Sequence, residues 1–157
     1  LLPKIVQQAA SEVRGKIDNT RITFRQNIAP ACQTLYLHTD YQKLYRATRH
    51  ILDNAAKFTD QGYIQLDCYV AGRLACISVK DSGIGIEEAM QEKVFEHFRQ
   101  EELGMTRNYG GNGIGLALVR AYMEILGGSV ELQSTKNKGT EVILRHPMPV
   151  MQRQGRP

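Results

Sequence analysis

Two glycine clusters in the second half of the chain contain the residues best suited to chemistry. Residues 81–86 read Asp-Ser-Gly-Ile-Gly-Ile, and residues 110–118 read Gly-Gly-Asn-Gly-Ile-Gly-Leu-Ala-Leu and continue as a helical pattern. Glycine lets the backbone come close to a ligand, and free amides at a helix N-terminus hold phosphate through hydrogen bonds and the helix dipole. A polar loop that leads into a helix is also typical of a lid over a nucleotide. Together the clusters predict a nucleotide site.

Asp81 stands where a predicted strand ends and the first glycine turn begins. A carboxylate there accepts a hydrogen bond from the exocyclic amine of adenine, whereas guanine places an oxygen at that position. The mismatch costs about 1–3 kcal/mol, so the residue would select the base. Gly83 and Gly85 leave room for the backbone to approach the base. Taken alone, the segment also fits an ordinary Asp-Ser-Gly turn after a strand.

Asn54 and Lys57 belong to the segment Asn-Ala-Ala-Lys-Phe-Thr at residues 54–59. Asn is a poor residue for a helix interior, and magnesium prefers oxygen ligands, so the Asn54 side-chain oxygen is a candidate ligand for magnesium on nucleotide phosphates. Lys57 falls on the same side of the helix and could neutralise phosphate charge. A solvent-facing Asn and a surface Lys are the alternative on this segment alone.

The hydrophobic pattern indicates the elements that would position these groups. Helical spacing of apolar residues predicts helices over residues 1–15, 41–57, 87–95 and 113–126. Alternation and turn residues predict strand segments over residues 21–27, 33–38, 64–70, 74–80, 129–134 and 140–146. Strands and helices that segregate into runs, with several hairpins, predict an α+β two-layer sandwich. We therefore expect a mixed sheet of about five strands covered on one face by helices.

Composition sets the class of protein. The 157 residues have a net charge of +4, with 42% hydrophobic and 23% charged residues, as one globular domain does. Lys and Arg are scattered, which argues against a nucleic-acid partner. Three cysteines without a Cys-x-x-Cys pair indicate free buried thiols in a reducing compartment. No apolar run reaches the roughly 18 residues of a membrane span, and a chain that starts mid-pattern without Met is expected to be part of a longer protein.

Five blocks, in this order and spacing, resemble the ATP-binding catalytic domain of two-component sensor histidine kinases. That domain belongs to the GHKL superfamily, with DNA gyrase B, MutL and the ninety-kilodalton heat-shock chaperones. The blocks are an N box, a first glycine box, an F box (Val-Phe-Glu-His-Phe), a second glycine box and a Gly-Thr pair, at residues 50–59, 81–86, 94–98, 111–116 and 139–140. The resemblance covers residues 1–147, which implies one catalytic domain there and a C-terminal tail over residues 148–157.

The resemblance implies roles for individual residues. Asn54 would be the magnesium ligand, Lys57 and His50 would be catalytic groups beside it, and Asp81 would read adenine. Thr140 would support the base through a water network. The other residues implied to bind the nucleotide lie in the glycine boxes, the F box and the lid: Gly83, Gly85, Ile86, Phe95, Phe98, Arg107, Gly111, Gly113, Ile114, Gly115 and Leu116. Among these, Phe95 and Phe98 would anchor the start of the lid, residues 111–116 would hold phosphate, and Arg107 would reach the γ-phosphate.

Two departures from the family pattern affect the expected chemistry. His50 stands where the kinases often have Asn and the gyrase branch has a Glu that activates water. It would be a polar neighbour of the metal or, since its ordinary pKa of roughly 6.5 suits the task, a base. In addition, none of the four histidines (His38, His50, His97 and His146) lies in a dimerising helical hairpin. The phosphoacceptor would therefore be on another domain.

The expected activity is transfer of the ATP γ-phosphoryl group, with Mg²⁺, to a His on the separate dimerisation domain of the parent kinase. A response regulator receiver domain would be an indirect partner in the phosphorelay. We expect a cytoplasmic location, as a cytoplasmic protein or the cytoplasmic part of a membrane-bound sensor, and no direct contact with nucleic acid or membrane. Two alternatives stay open: a hydrolysing ATPase of the gyrase or MutL type, and a docking module that no longer uses nucleotide.

Overall fold

The computed structural model describes residues 1–17, 20–96 and 114–149. Within them the helices are α1 (Leu2–Arg14), α2 (Pro30–Gln33), α3 (Tyr41–Phe58), α4 (Glu88–Gln91) and α5 (Ile114–Ile125), with a 3₁₀ turn at Lys93–Phe95. The strands are β1 (Ile22–Ile28), β2 (Gly62–Ala71), β3 (Leu74–Asp81), β4 (Ser129–Thr135) and β5 (Gly139–Pro147). No helix in these ranges is long and apolar enough to cross a bilayer.

The five strands form one mixed sheet in the order β1-β2-β3-β5-β4. β1 runs parallel to β2, and the pairs β2–β3, β3–β5 and β4–β5 are antiparallel. The parallel pair needs a crossover, which α2 and α3 provide, whereas short turns join β2 to β3 and β4 to β5. The sheet thus has the mixed, five-stranded form that the sequence predicted.

One face of the sheet is buried under helices, and this interface is the hydrophobic core. β2 shows the one-sided pattern most clearly, because Ile64, Leu66 and Cys68 are fully buried while the residues between them are partly exposed. Burying apolar area on one face is the main favourable term in such a sandwich, at about 25 cal/mol per Å². The largest side chains of the core come from three helices and three strands: Leu2, Val6, Val13, Leu44, Ile51, Leu52, Val119, Met123, Ile64, Leu66, Val79 and Leu144.

α3 carries the predicted N box, and both of its ends are defined locally. Asp40 caps the N-terminus, with its side chain accepting a hydrogen bond from the Lys43 amide at 3.1 Å. At the other end, Thr59 leaves the helix in an extended conformation (φ −117°, ψ 114°). α3 contacts α1 on one side and α5 on the other, so it is the central helix of its layer.

The predicted strand over residues 33–38 is wrong. Residues 30–33 form the short helix α2, and residues 34–38 have no regular secondary structure. β1 already occupies the sheet position beside β2, and the Leu35 carbonyl accepts a hydrogen bond from the Leu2 amide of α1 at 2.8 Å instead of from a strand. The alternation that suggested a strand arises because Leu35 and Leu37 both pack against the core.

The predicted helix over residues 87–95 is also shorter than expected. It is divided into α4 and the 3₁₀ turn. Gln91, the last residue of α4, donates two hydrogen bonds from its Nε2, to the Ile86 carbonyl at 3.0 Å and to the Ser134 carbonyl at 2.9 Å. α4 is thereby tied to the first glycine box and to β4.

Candidate nucleotide site

Asp81 is the last residue of β3, and its carboxylate is buried, with 7% of the residue exposed. Its Oδ1 accepts a hydrogen bond from the Gly83 amide at 2.8 Å. Burial raises the pKa of this carboxyl group, and the Gly83 and Thr140 amides, followed by the Thr59 hydroxyl, act in the opposite direction. The result is a buried carboxylate that accepts hydrogen bonds from backbone amides and keeps acceptor positions for a further N–H group.

Gly83 and Gly85 are required by close backbone approaches in the turn after β3. A Cβ on Gly83 would lie 2.8 Å from Thr59 Oγ1, 2.9 Å from Asp81 Oδ1 and closer still to the Phe58 carbonyl oxygen. Gly85 has a φ of +64°, and a Cβ there would overlap the Thr135 carbonyl of β4. The turn is therefore fitted between the end of α3 and the β4–β5 hairpin.

A chain of hydrogen bonds connects this turn to β5. The Ile86 amide donates to Ser134 Oγ at 2.8 Å, and Ser134 Oγ lies 2.8 Å from Thr140 Oγ1 and 3.1 Å from the Gly139 carbonyl. Thr140 is the register partner of Asp81 across β3 and β5. The structure therefore places Asp81, Ile86 and Thr140 in one connected group, and Ser134 is a bridging residue that the sequence reasoning did not identify.

Asn54 and Gly115 meet where α3 passes the N-terminus of α5. A Cβ on Gly115 would lie 3.6 Å from Asn54 Nδ2 and 3.7 Å from Asn54 Oδ1, so the half-buried Asn54 side chain adjoins the first turn of α5. Ile114 begins α5, and Leu116 packs against the core. Lys57 is exposed, with its Nζ 5.6 Å from the centroid of the Phe58 ring. The N box and the end of the second glycine box are thus neighbours.

His50 lies one helical turn before Asn54 on α3 and is half-buried. Burial lowers the pKa of its imidazole, and nearby Asp53 partly offsets this. The neutral form is therefore favoured at neutral pH, which suits either of the two expected roles for His50.

Phe95 ends the 3₁₀ turn, and Arg120 of α5 lies over its ring with Cζ 5.2 Å from the centroid. The start of the predicted lid is thereby held against α5. The predicted site residues Phe98, Arg107, Gly111 and Gly113 lie outside the described residues.

The side chains around Asn54 allow a metal site in which the protein supplies one oxygen ligand. No group of three or more His, Cys, Asp or Glu side chains in residues 1–17, 20–96 and 114–149 could hold a metal ion. A magnesium ion beside Asn54 would take one amide oxygen from the protein and the remaining oxygens from phosphate and water, which is how magnesium commonly binds with nucleotides. The residues present fit that arrangement.

Residues 39–150 match the family model described as histidine kinase-, DNA gyrase B- and HSP90-like ATPase. The chain belongs to this family. Among solved structures, the fold superimposes on the mycobacterial sensor histidine kinase MprB with a TM-score of 0.75, at 25% identity, over 93% of this chain and 95% of that one. The nucleotide-free catalytic domain of histidine kinase ThkA has the same fold, with a TM-score of 0.77 over 94% of this chain and 92% of that one, at 23% identity.

The curated relatives place the chain among the sensor kinases of this family. It is 33% identical over 118 residues to the autoinducer 2 sensor kinase/phosphatase LuxQ of Vibrio parahaemolyticus, which is 71% of this chain and 14% of LuxQ. It is 34% identical over 116 residues to the sensor histidine kinase WalK of Bacillus subtilis, which is 72% of this chain and 19% of WalK. The chain thus spans only a small part of the length of these relatives. It is an ATP-binding catalytic domain of the sensor histidine kinase type, which confirms the predicted family and fold.

Proposed function

We propose that this domain binds MgATP and transfers the γ-phosphoryl group to a histidine on a separate dimerisation domain of the parent kinase. An imidazole nitrogen of that histidine would attack the γ-phosphorus. The bond from this phosphorus to the β–γ bridging oxygen would break, and ADP would leave with the electron pair. The domain's task is to position ATP and to balance its charge. The proposal is carried by one observation: Asp81 at the end of the central strand β3, the end of α3 and the N-terminus of α5 lie together at one end of the sheet.

At the adenine end, Asp81 accepts a hydrogen bond from the exocyclic amine, and Thr140 holds water against the base. This assignment is supported by the burial of Asp81 and by the hydrogen bonds that leave the Asp81 carboxylate with unused acceptor positions. The turn after β3 lines the adenine end of the site with Gly83, Gly85 and Ile86. This turn is held in place by the end of α3 and by Ser134.

At the phosphate end, Asn54 and the amides that open α5 face the β- and γ-phosphates, and Lys57 adds positive charge. The contact between Asn54 and Gly115 supports this, since it places an amide oxygen next to a helix N-terminus, where anions bind. Magnesium bound by Asn54 would neutralise charge that develops on the phosphates. By resemblance, Gly111, Gly113 and Arg107 complete the phosphate contacts, and Phe95 and Phe98 hold the lid. His50 is a polar neighbour of the metal.

The same proposal names the partners and the location. The dimerisation domain supplies the phosphoacceptor, and a response regulator receiver domain receives the phosphoryl group later. The domain works in the cytoplasm, where ATP is available and where its three free cysteines, all buried, stay reduced.

Calorimetric titration with a non-hydrolysable ATP analogue, with and without Mg²⁺, tests the nucleotide site. We expect the wild type to bind, more tightly with Mg²⁺. We expect Asp81→Asn to weaken binding roughly ten- to hundredfold, because a hydrogen bond to a charged group contributes about 1.5–3 kcal/mol. Asp67→Asn is the matched control: Asp67 lies on β2 and accepts a hydrogen bond from Gln65 at 2.9 Å, away from the site.

Phosphoryl transfer is tested next by adding the dimerisation domain and labelled ATP, and by assaying acid-labile phosphohistidine. Label on the acceptor histidine that is lost with Asn54→Ala supports the kinase. A wild type that does not bind the analogue contradicts the whole proposal and favours a docking module.

Hydrolysis of ATP is the second candidate, favoured by one observation. His50 is half-buried, and its lowered pKa keeps it neutral one turn from Asn54, as a general base would require. Steady phosphate release by the isolated chain that His50→Asn abolishes would support this candidate. Phosphate release that stays near background contradicts this candidate, and release that His50→Asn leaves unchanged contradicts the role of His50 as the base.

A further inference from the structure

Thr59 carries a buried hydroxyl group that has no hydrogen-bond partner in the part of the chain that the structure describes. The residue is 2% exposed, and its Oγ1 forms no hydrogen bond of acceptable geometry with any described residue. Buried hydroxyl groups in proteins are nearly always paired, so an exception calls for a reason.

The contrast with Thr48 shows why the Thr59 hydroxyl does not bond to the preceding turn of α3. Thr48 is also fully buried on α3, and its Oγ1 donates to the Leu44 carbonyl one turn back, at 2.8 Å. Thr59 follows the last turn of α3 with extended backbone angles, so it cannot make that bond. Its hydroxyl points instead to the first glycine box.

The position of the Thr59 hydroxyl relative to Asp81 suggests its use. Thr59 Oγ1 and Asp81 Oδ1 lie on the same side of Gly83, at 2.8 and 2.9 Å from the place where a Cβ on that residue would sit. The hydroxyl is close enough to help lower the pKa of the Asp81 carboxyl group, against the larger effect of burial. A carboxylate accepts about four hydrogen bonds, so Asp81 has room for this donor as well as for Gly83 and a base.

We propose that Thr59 is a positioning residue for Asp81, which donates its hydroxyl hydrogen to the carboxylate when adenine is bound and so directs the carboxylate at the exocyclic amine. This inference rests on the proposed nucleotide site and adds a determinant of its base selectivity. In the free protein the hydroxyl lies near the Asp81 carboxylate but makes no hydrogen bond of acceptable geometry with the described residues, and in the complex it is satisfied. Thr59 therefore lowers the stability of the free domain and strengthens binding of adenine.

The test compares ATP with purine riboside 5′-triphosphate, which has hydrogen in place of the 6-amino group. Affinities of both ligands are measured on the 157-residue chain for the wild type, Thr59→Val and Thr59→Ser. We expect the wild type to prefer ATP by about ten- to hundredfold. We expect Thr59→Val to reduce that preference by about three- to tenfold through weaker ATP binding alone, and Thr59→Ser to restore it.

Thermal melting without nucleotide supplies a second readout, with Thr48→Val as the matched control. Because the Thr59 hydroxyl has no hydrogen-bond partner among the described residues and that of Thr48 has one, we expect Thr59→Val to melt at or above the wild-type temperature and Thr48→Val to melt below it. If Thr59→Val does not fold, the inference about an unpaired hydroxyl is overturned. In that case Thr59→Ala is used in its place to measure the preference for ATP over purine riboside 5′-triphosphate.

The outcomes separate this inference from the proposed function. A wild type that binds ATP and prefers it, together with a Thr59→Val variant of unchanged preference, overturns the role of Thr59 and leaves the nucleotide site intact. If Thr59→Val loses the same factor of affinity for both ligands, Thr59 only supports the structure of the site, and its role in base selectivity is overturned. A wild type that binds neither ligand overturns both the site and the inference.

Discussion

Replacing Gly83 by Ala should destabilise the domain through one identifiable collision. The new methyl group would lie 2.8 Å from Thr59 Oγ1, 2.9 Å from Asp81 Oδ1 and nearer still to the Phe58 carbonyl, whereas real Cβ atoms essentially never come within 3.0 Å of such atoms. The Phe58 carbonyl cannot move freely, because it ends α3 and accepts a hydrogen bond from the Ile84 amide at 3.1 Å.

The magnitude follows from these contacts. Overpacking of this kind costs about 1–3 kcal/mol, and loss of the Ile84 hydrogen bond adds about 0.5–1.5 kcal/mol. For a chain of this length, a total of about 1.5–4.5 kcal/mol lowers the melting temperature by roughly 3–18 °C. Asp81 would also be displaced, so affinity for an ATP analogue should fall together with stability.

Differential scanning calorimetry of the free domain checks this expectation, with Gly115→Ala as the control. A Cβ on Gly115 meets Asn54 only at 3.6 Å, an ordinary contact, and Ala is the better helix residue by up to about 1 kcal/mol. Gly115→Ala should therefore melt within a few degrees of the wild type. If Gly83→Ala melts as high as Gly115→Ala, the end of α3 can shift to accommodate the methyl group at little cost, and the steric argument is refuted.

Two further predictions concern the adenine end of the site. Burial raises the pKa of Asp81 above the ordinary 3.8, so the carboxylate exists above the raised pKa and is lost as pH falls through it. Affinity for the ATP analogue should then fall on acidification at a midpoint above pH 3.8, whereas Asp81→Asn should bind weakly with no such midpoint in a calorimetric pH series. Ser134→Ala removes the bridge between the Ile86 amide and Thr140, so we expect about 0.5–1.5 kcal/mol lower stability in urea titration and weaker nucleotide binding. Unchanged binding by Ser134→Ala would show that Thr140 is positioned by β5 alone.

Much of the fold could be predicted because its strongest patterns are local. The alternation along β2 and β3 and the helical spacing of α3 each follow from burial of one face, so the elements were predicted within a few residues. Residues 33–38 show the limit of this reasoning. Two leucines that alternate with other residues suit a strand, yet here they pack against the core without joining the sheet, because the position beside β2 is taken by β1.

The amino-acid sequence by itself determined the family and the residue types of the site, since the N box and the glycine boxes are short segments whose order along the chain is enough to identify them. Which atoms meet was decided only by tertiary structure. The register of β3 on β5 brings Thr140 beside Asp81, and the β4–β5 hairpin places Ser134 against Ile86. The end of α3 places the Thr59 hydroxyl beside Gly83, where it has no hydrogen-bond partner within residues 1–17, 20–96 and 114–149. Contacts of this kind join residues far apart in the chain, and they depend on how the sheet and helices close around the core, which no local pattern of residues specifies.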